Sequence, residues 1–293
     1  MGSSRLQRLV VLLVAMVALT GCSLTRRVAV GQMVPIIENA AESARERTDL
    51  PLVAQALPAN LLLVEGLIRT DPRNAKLQAE ASFLYFGYAL GFVEPDNLEL
   101  ASLYYAMGRD HGLQALQQNK KFAARSDGTL EEYEQGLVNL RRKDVEALAW
   151  TTANWGRWLS LNLESPAAIA QQPRLEAALT RLLQLEPEFE AGLPHVLRGM
   201  VDAMRPEMFG GKPDSAAVHF EKAFEISRGE NLLYRVFYAE YYCRAVLDGD
   251  CFDAALDTVL ASPDGGDPRF NLMNEIARAR AAKLRLQRDD FFD

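Results

Sequence analysis

The sequence predicts an all-α protein. Ala, Leu, Glu, Gln and Arg dominate the chain and runs of β-branched residues are scarce, a composition that favours helix over strand. Apolar residues recur at three- and four-residue spacing. Pro, Gly and Asp fall between these periodic segments as punctuation. The loops are short, so successive helices should pack as antiparallel neighbours.

The first segment is not part of that fold. Arg5 and Arg8 precede an apolar run from Leu9 to Leu19, and Leu19-Thr20-Gly21-Cys22 follows. A basic start, a short apolar core and small residues form the layout of a bacterial secretory signal. The run is too short to span a bilayer comfortably. The cysteine at the cut resembles the lipobox of bacterial lipoproteins. That resemblance implies export, diacylation of Cys22 and removal of residues 1–21, with acyl chains holding the rest at a membrane surface. Ser23, rather than Asp, follows the cysteine, which points to the inner face of the outer membrane. Residues 22–32 then read as a tether, and residues 33–293 as one helical domain.

Helices are expected, in order, over Met33 to Arg47; Leu50 to Thr70, with a break near Pro58; Asn74 to Phe92; and Asn97 to Gln118. Thr129, with Glu132 three residues on, reads as a capping box for a short helix from Glu131 to Leu140. Asp144 to Ser160, Gln172 to Leu185, Ala191 to Ala203 and Asp214 to Ile226 follow. Asn231 to Asp248, Phe252 to Leu260 and Pro268 to Gln287 complete the set. No stretch after the leader reads as long and apolar enough to cross a membrane. Ala216, Phe220 and Ala223 hold the spacing of a tetratricopeptide repeat's second helix. Gly199 stands near the small position of the first. Such pairs stack into a superhelix with a concave surface. The Gly210-Gly211-Lys212-Pro213 loop joins them, with glycines suited to a tight turn and Pro213 as a first helical residue.

Losing Arg5 and Arg8 with the leader takes the formal charge from −7 to −9. With no long basic run, nucleic acid is an unsuitable partner. Cys243 and Cys251 remain in an exported chain, where a disulfide is permitted. Two antiparallel helices could bring the thiols together across Asp248-Gly249-Asp250. Alternatively the two are small apolar residues packed in a hairpin. No CxxC or paired metal spacing is present, and no cofactor is expected.

The chain carries no catalytic motif. His111, His195 and His219 lie in no HExxH arrangement, and His219 reads as a packed or half-exposed side chain. Gly210-Gly211-Lys212 lacks the frame of a phosphate loop. Glu131, Glu132 and Glu134 read as a solvated face rather than the shielded pair that acid–base work needs. The chain therefore reads as a non-enzyme. Aromatic residues cluster at helical spacing and fit either inter-helix core or the lining of a mixed cavity. Candidate lining residues are Tyr85, Tyr88, Trp150, Trp155, Trp158, Tyr238 and Tyr242. Arg157 and Arg235 are candidates to grip a ligand carboxylate.

Several ordered stretches together resemble one family. These are Leu61-Leu62-Leu63-Val64-Glu65-Gly66-Leu67 with Asp71-Pro72-Arg73-Asn74, then Tyr88-Ala89 with Phe92-Val93-Glu94, and the Trp150 to Trp158 segment. Leu185-Glu186-Pro187 follows, then Gly210-Gly211-Lys212-Pro213 leading into His219-Phe220-Glu221-Lys222-Ala223. Ala239-Glu240-Tyr241-Tyr242, Asn274, Ile276, Ala277 and Asp290-Phe291-Phe292 close the set. In that order they resemble the T component associated with tripartite ATP-independent periplasmic (TRAP) transporters. The resemblance implies tetratricopeptide-like hairpins enclosed by further helices, no catalysis, and a homotrimer whose protomers each hold a channel or pocket. It implies docking of the importer's periplasmic solute-binding protein and passage of a small organic acid or hydrophobic ligand. Gly210, Gly211, Lys212 and Pro213 would serve as loop geometry or as a partner contact. The alternative function is an envelope-assembly or structural lipoprotein that uses the same helical surface as a protein-binding scaffold.

Overall fold

The last long helix returns to the first ones, and this closure organises the molecule. The computed structural model describes residues 27–205 and 210–292. Cys22 and the leader lie outside them. Helices α1 (27–45), α2 (Leu50–Thr70) and α3 (Ala75–Tyr88) are followed by α4 (Leu98–Leu116), α5 (Lys120–Ala123) and α6 (Leu130–Leu137). Next come α7 (Val145–Ser160), α8 (Pro166–Ile169), α9 (Gln172–Leu185), α10 (Leu193–Ala203) and α11 (Pro213–Ser227). The chain ends with α12 (Leu232–Phe237), α13 (Gly249–Ala261), α14 (Asn271–Leu286) and α15 (Asp289–Phe292). No strand occurs among the described residues.

Residues 27–32, read from sequence as the end of a tether, are instead the first turns of α1. Val30 and Val34 are buried with Val53, Leu57 and Leu61 of α2, which makes helix there favourable. Pro58 does not break α2. Leu57 and Leu61 bury on either side of it in one core, which offsets the roughly 3 kcal/mol penalty of an interior proline. By length and composition α2 could cross a membrane, contrary to the expectation that no such stretch follows the leader. Thr129 and Glu132 make both bonds of the capping box that starts α6.

Two segments expected as plain helix change pitch. Residues Ala89–Val93 after α3 and Tyr238–Cys243 after α12 are π-turns. In the first, the Glu94 N–H donates to the Ala89 carbonyl five residues back, at 2.8 Å. Each turn holds an extra residue, so the side chains that follow are rotated relative to an α-helix. Cys243, buried at the end of the second π-turn, is disulfide-bonded to Cys251 of α13, with Cα atoms 5.6 Å apart.

α3, α4 and α7 pack at the centre. Asn154 of α7 donates to the Ser82 carbonyl of α3 at 2.9 Å. α10 and α11 form an antiparallel pair: Gly192 faces Ala223 and Ile226, while Gly199 faces Ala216 and Phe220. A Cβ at Gly199 would stand 2.9 Å from the Phe220 ring, so only glycine lets the ring sit there. Asn274 of α14 accepts from the Leu232 N–H at 2.9 Å. Asn271 donates to the Glu46 carbonyl at 2.8 Å, and Leu272 and Ile276 enter the core of α1–α3. The C-terminal helix thus joins both cores.

Phe220 is fully buried against Gly199 and Tyr238. Phe220→Ala is expected to cost about 3–5 kcal/mol in denaturant unfolding, from lost transfer energy and the cavity left behind. A loss below about 1 kcal/mol would show that the ring does not carry this packing.

Glu80 of α3 is buried, and its Oε1 has no hydrogen-bond partner among the described residues. Burial first, then the nearby Glu146 and Glu38, push its carboxyl up to about 7; Arg45 opposes them. A folded-state value above the unfolded one means the native state holds a proton that the unfolded chain has released. Stability from this group therefore falls as pH rises from about 4.5 to about 7. Glu80→Gln should remove that slope and stabilise the protein by about 1–3 kcal/mol at pH 8. Equal pH dependence of unfolding in both proteins would refute the assignment.

Candidate functional site

Five elements bring ionisable side chains to one point. Glu94 stands immediately after the first π-turn, Tyr105 is on α4 and Arg157 on α7. Glu240 and Tyr241 are in the second π-turn, and Arg280 is on α14. The Glu94 carboxylate accepts from Arg157 through both oxygens, its Nε lying 3.2 Å from Oε2. It also accepts from Arg280 Nη2 at 2.7 Å and from the Tyr105 hydroxyl at 2.5 Å. Arg280 holds Glu240 in a fork, with Nε to Oε2 at 3.0 Å and Nη2 to Oε1 at 2.6 Å. Arg157 donates to Tyr241, whose hydroxyl lies 3.1 Å from Ser160 Oγ. The Arg157 guanidinium also stands 5.8 Å from the centre of the Phe237 ring.

Two guanidinium groups and two carboxylates balance in charge, which permits their burial. Burial alone would raise the Glu94 carboxyl, but Arg157 and Arg280 beside it hold it well below the usual carboxylate range. Burial tends to lower the Arg157 guanidinium, yet Glu94 next to it keeps it raised.

This quartet is the wall between two cavities. The first, of about 440 Å³, is lined by apolar Leu90, Ile276 and Leu284 with Arg280 and Lys283. The second, of about 720 Å³, is lined by Leu161, Met204 and Phe291 with Arg157, Tyr241 and Arg244. Glu94, Leu98 and Glu240 line both. In the first, Lys283 bonds the Pro95 carbonyl and stands 3.8 Å from Asp96. In the second, Arg244 lies over the Phe291 ring at 3.8 Å and has no acidic partner among the described residues. The disulfide at Cys243 ties the segment bearing Glu240, Tyr241 and Arg244 to α13.

Of the ligand-lining residues expected from sequence, Arg157 borders the second cavity. Tyr85 is buried, donates to Glu65 at 3.0 Å and stacks on His111. Tyr88 packs with Phe92 and Tyr104, and Trp150 with Phe83 and Phe86. Trp155 bonds Gln171 at 3.1 Å and lines a separate groove with Arg174. Trp158 lies beneath Arg109, and Tyr238 stacks on Tyr242 at 5.0 Å. Arg235 lies over Phe224 at 4.6 Å. From Tyr85 to Arg235, these side chains line neither cavity of the quartet. In the inter-helix loop, Gly210 has a left-handed φ of 86°, which a glycine adopts without strain. Gly211 follows it, and the Lys212 N–H bonds the Asp202 carbonyl at 2.7 Å. Pro213 opens α11. Nearby, the half-buried His195 and His219 face each other through their Nδ1 atoms at 2.9 Å. Both are held below the usual imidazole value, chiefly by burial.

Sequence reasoning did not single out Glu94, Tyr105, Glu240 or Arg280 as site residues. One signal pointed toward them. Arg157 is the only cation in α7, a helix otherwise nearly apolar, and a buried guanidinium requires an anion from elsewhere. Among the described residues no group of three or more His, Cys, Asp or Glu side chains is arranged to hold a metal ion.

Glu94→Gln leaves Arg157 buried with its charge unbalanced, and a loss of about 3–5 kcal/mol is expected. Glu94→Leu combined with Arg157→Met should recover most of that loss. The depressed Glu94 value also sets a sign. Its contribution is complete above the unfolded value, near pH 4.5, and is lost as pH falls toward the folded value. Acid unfolding of the double variant should therefore be shallower. An unchanged acid limb would show that Glu94 is not the anion of this network.

A curated protein of Treponema pallidum (strain Nichols), described as uncharacterized, is 27% identical over 266 residues. The alignment covers 84% of this chain and 81% of that protein. The profile described as TRAP transporter T-component matches residues 46–292, a span that holds the whole quartet and both cavities. The chain belongs to the TRAP transporter T-component family.

Proposed function

We propose that this chain is a lipid-anchored periplasmic accessory protein that docks the solute-binding protein of a TRAP transporter. In this reading it helps pass a small ligand through the paired cavities. Family membership supports the transport role and an accessory rather than catalytic part in it. The observation that carries the ligand-passing part is the pair of cavities that meet at one ion-paired wall. Their linings combine an apolar body with a few charged groups, the composition of a small-molecule site. A ligand with an apolar body and a carboxylate finds Lys283 in one cavity and Arg244 in the other. Arginine and lysine both pair with carboxylates, and arginine does so with two donors.

The same reading includes attachment through Cys22, a position at the inner face of the outer membrane, and assembly as a homotrimer. The loop from Gly210 to Pro213 is the proposed partner contact, because Lys212 is exposed while its backbone is pinned to α10.

Affinity purification of the chain from a detergent extract is expected to recover a periplasmic solute-binding protein. Lys212→Ala should weaken that recovery and its salt dependence without altering stability. If no solute-binding protein is recovered while other periplasmic complexes survive, the docking role fails. Recovery of outer-membrane barrel proteins instead would favour the envelope-assembly reading.

A further inference from the structure

α2 carries an outward face with almost no charge. Its only charged residues are Glu65 and Arg69, and Glu65 is taken up inside by Tyr85 at 3.0 Å and His111 at 2.9 Å. The exposed positions Leu52, Gln55, Ala56, Ala59, Leu62, Leu63 and Gly66 recur every three or four residues, which places them on one stripe. Leu62 is 74% exposed, and Leu52 and Leu63 are each 46% exposed. An uncharged stripe of this length on the outside of an acidic protein calls for a covering partner.

The chain's own geometry indicates which partner. Arg27, at the start of α1, stands 3.7 Å from Asp71, just past the end of α2. The two helices are thus antiparallel, with the start of α1 beside the C-terminal end of the stripe. Cys22 lies five residues before Arg27, a reach of at most about 17 Å for an extended chain. Leu62 is about 12 Å from the C-terminal end of α2 along the helix. A cationic fringe surrounds the same end: Arg27, Arg69, Arg73 and Lys76 are exposed there. Of these, Arg27 is near Asp71 and Lys76 near Glu38, while Arg69 and Arg73 have no carboxylate partner among the described residues.

We infer that the Leu52–Leu62–Leu63 stripe of α2 rests on the bilayer that the Cys22 lipid enters, with Arg69 and Arg73 among anionic headgroups. This inference rests on the lipid-anchor reading. The helix lies on the membrane and does not cross it, because Val53, Leu57, Leu61, Val64 and Ile68 are committed to the protein core. Basic residues beside an apolar face are the combination that binds anionic lipid surfaces. Acyl chains and this face would together give two points of attachment, and so set the orientation of the cavities relative to the membrane.

The test uses the full acylated chain in vesicles of phosphatidylethanolamine and phosphatidylglycerol. Cys22 is blocked by lipid and Cys243 by Cys251, so a nitroxide can be placed selectively with Leu62→Cys or, as control, with Leu260→Cys on α13. The ratio of collisions with oxygen to collisions with a water-soluble nickel complex should be several-fold higher at position 62 than at 260. Equal ratios would overturn the inference. So would dipolar broadening at position 62 that disappears when labelled chains are diluted with unlabelled ones, since that would mean a second copy covers the stripe. Flotation separates this failure from failure of the anchor. A wild-type chain that floats while position 62 remains in water removes only the membrane-lying face. Palmitate labelling that persists in Cys22→Ser removes the anchor and, with it, this inference.

Discussion

The carboxylate of Glu94 is the point on which the rest of the structure depends. It accepts hydrogen bonds from α4, α7 and α14 while standing just past the π-turn that follows α3. A buried carboxylate is tolerated only when its charge is met and its lone pairs are filled, so these helices cannot move independently of one another. The closure of the C-terminal helix onto the N-terminal ones has the same origin. Arg280 reaches Glu94, while Ile276 one turn earlier enters the core of α1–α3.

Pitch changes make this convergence achievable. A regular α-helix through residues 89–93 and 238–243 would present different side chains to the centre. The π-turns rotate Glu94 and the Glu240–Tyr241 pair into a common region. Both turns border the cavities, and the second is tied to α13 by the Cys243–Cys251 bond. The cavities are therefore separated by a wall that is polar, fully paired and covalently supported at one end. Its charges balance, with two guanidinium groups set against two carboxylates. Outside this wall, Lys283 lines the first cavity and Arg244 the second.

Membership of the TRAP transporter T-component family sets the context for this arrangement. An accessory of a transporter needs surfaces for other molecules more than it needs reactive groups. The molecule divides accordingly: a rigid ion-paired centre, cavities opening on both sides of it, and an outer helix whose exposed face is apolar. The helix pair α10–α11 packs through the Gly199–Phe220 contact and meets the second π-turn where Phe220 lies against Tyr238.

The sequence alone determined the helical class, most helix boundaries, the capping box at Thr129 and the close contact between Phe220 and its small partner. These depend on propensity and on neighbours within a turn or a hairpin, which are local in the chain. The family was also legible, because ordered short stretches accumulate along almost the whole length. The site was not. Glu94 and Arg157 are 63 residues apart, and Glu94 and Arg280 are 186 apart. No periodicity within one helix records such pairings, and the π-turns that create them look like continuous helix in sequence. The aromatic residues show the same limit. Their spacing shows that they bury, but only the packing of several helices decides whether a buried ring meets another ring or a void. Here Trp150 meets Phe83 and Phe86, while Tyr241 and Phe291 line the second cavity beside the paired charges.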